Sequence, residues 1–389
     1  MFIELTEQEQ ALADEAEAYF ATALRPEEQA GLREDETGPA HDSVVERLGR
    51  DGWLGRGWAE EFGGEGFGPV AEQTVVSTAY RHRVPVPFAT VFAVGLSLQE
   101  FGTPEQLAQF LPLIRAGRIH IAIGYSEPGA GTDLANLSTI ARREGDEYVI
   151  RGQKMWTSGV HNADYIWLAC RTDPTLERHK GVSIILVDTS LPGITWTPVS
   201  SLNKSRHLNA LYLDDVRVPA EMLVGEENQG WRVITHQLNA ERFNAGPAGK
   251  IEAHVETFRA WARATQVEGR PATEMDDVRR ALAEFEAIAR TNLMLNWSSV
   301  SEGGAGSTGP VNAAVNKLYT SERIIEIGRR VLELVHRYGD PTDPVTRTCL
   351  EETDFALKTE MKLPVGGGVS EVQRELIAHL GLGLPRGAR

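Results

Sequence analysis

The chain has 389 residues, 41% of them hydrophobic, enough to bury a large core spread over two or three subdomains. Its net charge of -16 and pI near 5.2 argue against a general nucleic-acid role and against docking to anionic membranes. No apolar run approaches the roughly 18 residues a membrane span needs, and the acidic, amphipathic start "MFIELTEQEQALADEAEAYF" reads as a surface helix, not a secretion signal. Cys170 and Cys349 lie far apart and form no CxxC pair, which predicts buried, reduced thiols, a cytoplasmic setting and no zinc.

From Thr6 to about Gly117 apolar residues recur at helical spacing, as in "EQEQALADEAEAYFATAL" and "DSVVERLGRDGWLG". Turn clusters "EEFGGEGFGP" and "FGTPEQ" divide these helices, and the latter offers Thr103 as an N-cap with Pro104 at the first helical position. Between about Ile119 and Val224 come short runs rich in Val, Ile, Tyr, Trp and Thr, such as "EYVIRGQKMWTSG", "DYIWLACRTD" and "GVSIILVDTS". Gly, Pro and Asp separate them, which predicts a small antiparallel sheet domain or barrel. After "GEENQGW" helical periodicity returns to the end, with "SEGGAGSTGP" as a loop between helices. The division expected is therefore helical over 1–118, β over 119–225 and helical again over 226–389.

Two segments carry candidate chemistry. "YSEPGAGTD", Tyr125 to Asp133, is a Gly-containing loop whose hydroxyls and backbone N–H groups suit a planar ring or a phosphate, though a plain turn has the same texture. "GQKMWTSG", Gly152 to Gly159, puts Trp156 beside two hydroxyl residues at a strand end, either as a ligand-stacking ring or as an ordinary core aromatic.

Taken together, "SEPGAGTDL", "GDEYVIRGQKMWTSG", "DDVRVP", "GEENQGW" and "ER" resemble the acyl-CoA dehydrogenase flavoenzymes in order and spacing. The resemblance runs from "WAEEFGGEGFGP" to the terminal "SEVQREL". It implies an α+β multidomain fold: an N-terminal helical domain, a central β-barrel domain and a C-terminal four-helix bundle. It further implies FAD, with cofactor contacts from Tyr125, Ser126, Gly131, Thr132, Trp156 and Ser158. The implied reaction removes an α proton from an acyl-CoA thioester by a carboxylate while flavin N5 accepts the β hydrogen as hydride. The thioester carbonyl must be polarised in that step.

The family's usual base is the Glu of a C-terminal Tyr-Glu-Gly-Thr loop. Here "PVGGGVSEVQREL" sets Gly366, Gly367 and Gly368 over Tyr, Glu and Gly, so Gly367 stands where the base would be, leaving only its backbone N–H for the carbonyl. Glu371, four residues on, reads as a surface Glu of a helix. Some relatives place the base on another helix just before an Arg, and "QLNAERFNAG" puts Glu241 and Arg242 there. Ile234, Leu238, Glu241 and Ala245 share one helical face, so Glu241 is expected to point inward, where burial raises a carboxyl pKa. A structural Glu–Arg pair is the competing role. By resemblance Asn239 and Arg242 lie near CoA.

Two elements by which homotetrameric relatives reach a neighbour's FAD, Arg-x-x-Phe-Gly and Gln-x-x-Gly-Gly-x-Gly, have no counterpart in "ARATQVEGRPATEMDDVRRALAEF" or "ELVHRYGDPTDPVT". The chain is therefore similar to the base-bearing subunit of actinobacterial α2β2 steroid side-chain dehydrogenases. That implies a sister subunit, a steroid-CoA substrate and electron-transfer flavoprotein as acceptor. The glycine triplet would leave pocket room for a bulky group. A non-catalytic structural subunit and a homotetrameric branched-chain dehydrogenase are the alternatives.

Overall fold

Capping chemistry starts the helices where the sequence places it. Thr6 accepts from the Glu9 N–H while the Glu9 carboxylate accepts from the Thr6 N–H, opening the helix Glu7–Phe20. Thr103 and Gln106 repeat the arrangement at the helix Pro104–Arg115, with Pro104 in the first turn. The computed structural model describes residues 5–244, 246–301 and 310–385, and the side chains of all of these except 241–244 and 300–301. The predicted loop "SEGGAGSTGP" falls almost wholly outside the described residues.

The chain forms two compact units, and each is built from separated segments. The first comprises Met1–Ala23, Pro69–Val84 and Arg242–Arg389. In it the helices Ala248–Ala264, Asp276–Ser301, Pro310–Tyr338 and Pro344–Glu360 pack as a four-helix bundle. Ile251, Val255, Phe258 and Ala262 recur at three- and four-residue steps, so they share one face and bury it against Phe285, Ile324, Ile327 and Val331. Phe258 stacks on Trp261 at 5.5 Å between ring centroids. Each large side chain buried this way contributes roughly 1.5–3 kcal/mol, and Phe258→Ala would cost about 3–5 kcal/mol. Gly249 sits where a Cβ would collide with the Ser77 carbonyl, so only glycine lets this helix approach the helix Gly68–Arg81 so closely.

The second unit comprises Leu24–Gly68 and Pro85–Glu241. Its centre is an eight-stranded, mostly antiparallel sheet. The strands are β1 (Ile121–Gly124), β2 (Ile140–Glu144), β3 (Glu147–Lys154), β4 (Tyr165–Arg171), β5 (Val182–Asp188), β6 (Ile194–Val199), β7 (Leu208–Pro219) and β8 (Leu223–Val224). Their order is β6-β7-β3-β2-β4-β5-β8, with β1 added in parallel to β4. β4 and β5 are nearly continuous apolar runs because they are buried on both faces, whereas β6 is an exposed edge. In β3 the register against β7 shifts between Ile150 and Gly152, a bulge that bends the strand just before the end that leads to Trp156.

Both cysteines are buried free thiols, and burial pushes each up to about 12. Among the described residues no helix is long and apolar enough to cross a membrane.

Candidate active site

β1 ends at Gly124 and delivers the loop Tyr125 to Asp133; β3 ends at Lys154 and delivers Met155 to Ser158. The two segments are joined directly, the Met155 N–H donating to the Ser126 carbonyl at 2.8 Å. Behind this junction Lys154 Nζ donates to Glu127 Oε1 at 2.8 Å and to the Tyr125 carbonyl at 3.1 Å. Glu127 also accepts from the Ser138 N–H and hydroxyl and from the Thr139 N–H, at 2.6–2.9 Å. Burial pushes the Glu127 carboxyl up, but the Lys154 charge and these donors outweigh it and hold the group at about 2. The result is a charged anchor inside the fold, with both loops tied to it.

Further bonds register the β3 extension. The Thr157 N–H donates to the Asn209 carbonyl at 3.0 Å and the Gly159 N–H to the His207 carbonyl at 2.7 Å, leaving the Ser158 side chain exposed between two fixed neighbours. Tyr125 is 8% exposed, and its hydroxyl accepts from Trp167 Nε1 at 3.0 Å. Thus Tyr125 faces inward in large part, while Gly131, Thr132, Trp156 and Ser158 are exposed and Ser126 is half-buried.

Trp156 is 54% exposed and holds φ at +63°, a conformation uncommon for a non-glycine residue. An exposed ring in a strained backbone is not part of the core, and such strain concentrates at ligand sites. A Cβ built on Gly131 would meet nothing within 4 Å, so the protein's own packing does not demand glycine there. Open space over a glycine, free hydroxyls and an unpacked aromatic ring fit a large planar ligand with polar appendages such as FAD.

The glycine triplet belongs to the first unit. It lies between the helices Pro344–Glu360 and Ser370–Leu376, where the Gly366 N–H donates to the Lys362 carbonyl and the Ser370 N–H to the Pro364 carbonyl, each at 2.9 Å. Gly367 and Gly368 have φ of +67° and +95°, so their backbone demands glycine independently of pocket space. Gly366 has an ordinary φ, and its Cβ would meet only the Lys362 carbonyl at 3.6 Å. Glu371 is exposed in the first turn of the following helix.

Asn239, Glu241 and Arg242 lie on the helix Gly230–Asn244, whose Val233 and Ile234 are buried and whose Leu238 and Asn239 are half-buried. The side chains of Glu241 and Arg242 lie outside the described residues. Beyond them the chain is held at Gly246, whose carbonyl accepts from Asn296 Nδ2 at 2.8 Å within a buried cluster of Asn292, Asn296, Asn316 and Thr320. A cavity of about 330 Å³ elsewhere in the first unit is walled by Arg81, Glu252, Arg259 and Glu286 and includes none of the predicted site residues.

Sequence reasoning missed Glu127 and Lys154 as the anchor. The signal was present in β3, where Tyr148 and Ile150 are buried and Lys154 is the inward residue at the strand's end. An inward lysine requires a carboxylate, and "SEPG" supplies it.

Comparison with known proteins covers the chain almost end to end. The acyl-CoA dehydrogenase N-terminal, middle and C-terminal domain families match residues 6–118, 122–216 and 228–381. The acyl-CoA dehydrogenase FadE29 of Mycobacterium tuberculosis is 48% identical over 386 residues, covering 99% of each chain. Among solved structures, the Tcur3481-Tcur3483 steroid ACAD is 38% identical with a TM-score of 0.90, covering 100% of both chains. The ChsE4-ChsE5 complex from Mycobacterium tuberculosis is also 38% identical, with a TM-score of 0.89 and 100% of both chains covered.

Proposed function

Because the chain belongs to the acyl-CoA dehydrogenase family, we propose that it dehydrogenates a steroid side-chain CoA thioester at the α,β position, with FAD, as one subunit of a cytoplasmic α2β2 complex. The observation that carries the reading is the buried Lys154–Glu127 pair, which clamps the two segments on which Thr132, Trp156 and Ser158 are exposed, in a chain with full-length family similarity. In this reading Tyr125, Ser126, Gly131, Thr132, Trp156 and Ser158 hold FAD. Similarity to a steroid ACAD and to a two-component complex supports the substrate class and the sister subunit. The three-part division at residues 118 and 225 belongs to the same reading.

Glu241 removes the α proton, the only acid–base role the reaction requires of this chain. The Gly367 N–H donates to the thioester carbonyl, where negative charge develops as that proton leaves. Asn239 and Arg242 bind toward CoA. FAD, when bound, supplies the hydride acceptor, and electron-transfer flavoprotein is the onward acceptor.

The test is co-expression with a sister acyl-CoA dehydrogenase chain. Purified complex should show the flavin absorption band and oxidise steroid side-chain CoA esters faster than straight-chain acyl-CoAs. A colourless complex, or the reverse substrate preference, sinks the proposal.

A further inference from the structure

We infer that Lys317 and Gln373 are positioning residues for this reaction, fixing the Gly367–Gly368 backbone so that the Gly367 N–H is presented in one geometry. The inference rests on the role proposed above for Gly367. Three consecutive glycines have the largest backbone freedom of any tripeptide, and no side chain of their own can restrain them. Yet a donor that polarises a carbonyl acts only if it is already aimed when charge develops. Something outside the triplet must therefore hold it.

The structure supplies two donors from two different helices. Lys317, 3% exposed in the helix Pro310–Tyr338, donates from Nζ to the Gly368 carbonyl at 2.6 Å. Gln373, wholly buried in the helix Ser370–Leu376, donates from Nε2 to the same carbonyl at 3.2 Å and to the Gly367 carbonyl at 3.5 Å. The peptide groups that follow Gly367 and Gly368 are thus drawn onto buried donors, and with the Gly366 N–H bonded to the Lys362 carbonyl the 366–367 peptide that carries the Gly367 N–H lies between restrained neighbours. A lysine at this depth is expensive to keep where an apolar residue would fill a bundle helix.

The test uses the complete complex with Lys317→Met and Gln373→Met, replacements of comparable length that cannot donate. Two readouts are taken: amide hydrogen exchange across residues 364–370, and kcat against KM for the acyl-CoA substrate. Faster exchange is expected in both variants, with kcat lowered about 10- to 100-fold, the loss typical of a small misplacement, and KM and flavin content unchanged. Exchange at the wild-type rate overturns the clamp. Faster exchange with wild-type kcat, or a rise in KM alone, overturns the positioning role. If Lys317→Met does not fold, Gln373→Met carries both readouts by itself. Failure of the underlying reading is separately visible, because an unmodified complex that does not oxidise acyl-CoA removes the role of the Gly367 N–H and leaves the exchange result untouched.

Discussion

Lys154 and Glu127 form an ion pair at 2.8 Å in which the two side chains are 0% and 3% exposed. Removing one partner strands the other charge without water. Lys154→Met is expected to destabilise the fold by about 3–5 kcal/mol and to lower flavin retention, read by urea denaturation and flavin absorbance. Replacing both residues with apolar ones should recover much of the stability but not the flavin, since the loops lose their shared anchor. A double variant no more stable than Lys154→Met would contradict this.

Acid sensitivity should come in two phases. Burial, with the nearby His41 charge, holds the His120 imidazole at about 4 instead of 6.5, and neither ring nitrogen has a partner among the described residues. The unfolded chain therefore binds a proton that the folded chain refuses, and stability falls as pH drops from about 6.5 to about 4. Glu127, held at about 2 against an ordinary 4.5, adds a second loss across that lower window. Urea midpoints measured against pH should show the first phase shrink in His120→Leu, with the remainder from His236, whose imidazole pKa is also lowered by burial; parallel curves for wild type and variant would refute the assignment.

The glycine triplet should not respond uniformly to alanine. Gly367 and Gly368, at φ of +67° and +95°, are each expected to lose about 1–2 kcal/mol, while Gly366, with an ordinary φ, should tolerate alanine. Thermal denaturation of the three single variants checks the order. Equal effects at all three positions would mean that side-chain bulk, and not backbone conformation, is what the loop excludes.

Trp156 offers a separation of binding from folding. At 54% exposure it contributes little packing, and glycine suits its φ of +63° better than tryptophan does. Trp156→Gly should therefore keep or slightly raise the melting temperature while weakening flavin retention. A large stability loss would place the ring in the core after all.

Glu241→Gln removes the proposed base while keeping size and polarity. Turnover is expected to fall by about 10²–10⁴ with flavin content unchanged, measured by steady-state kinetics on the purified complex. Near-normal activity would end the assignment.

Much of the architecture was legible because it depends on short-range chemistry. Thr103 and Pro104 start a helix through bonds spanning three residues, and β4 reads as a strand because a run of β-branched and aromatic residues suits a pleated surface. The loop at Tyr125 to Asp133 announced itself through glycines and hydroxyls. What was not legible was which side of that loop faces solvent. Tyr125 turns inward to Trp167 whereas Trp156, the larger ring, stays out, and nothing in local spacing distinguishes the two.

The sequence by itself determined the element types, their order and the motifs that mark the family, since these follow from hydrophobic period, turn residues and caps within a few positions. Tertiary structure alone decided the pairings: Lys154 with Glu127 across 27 residues, and Lys317 with Gly368 across 51. Such partners meet only after packing has closed long loops, so their identity is a property of the folded chain. The same holds for the glycine triplet, where sequence singled out Gly367 by alignment alone and the backbone made Gly367 and Gly368 conformationally necessary and Gly366 not.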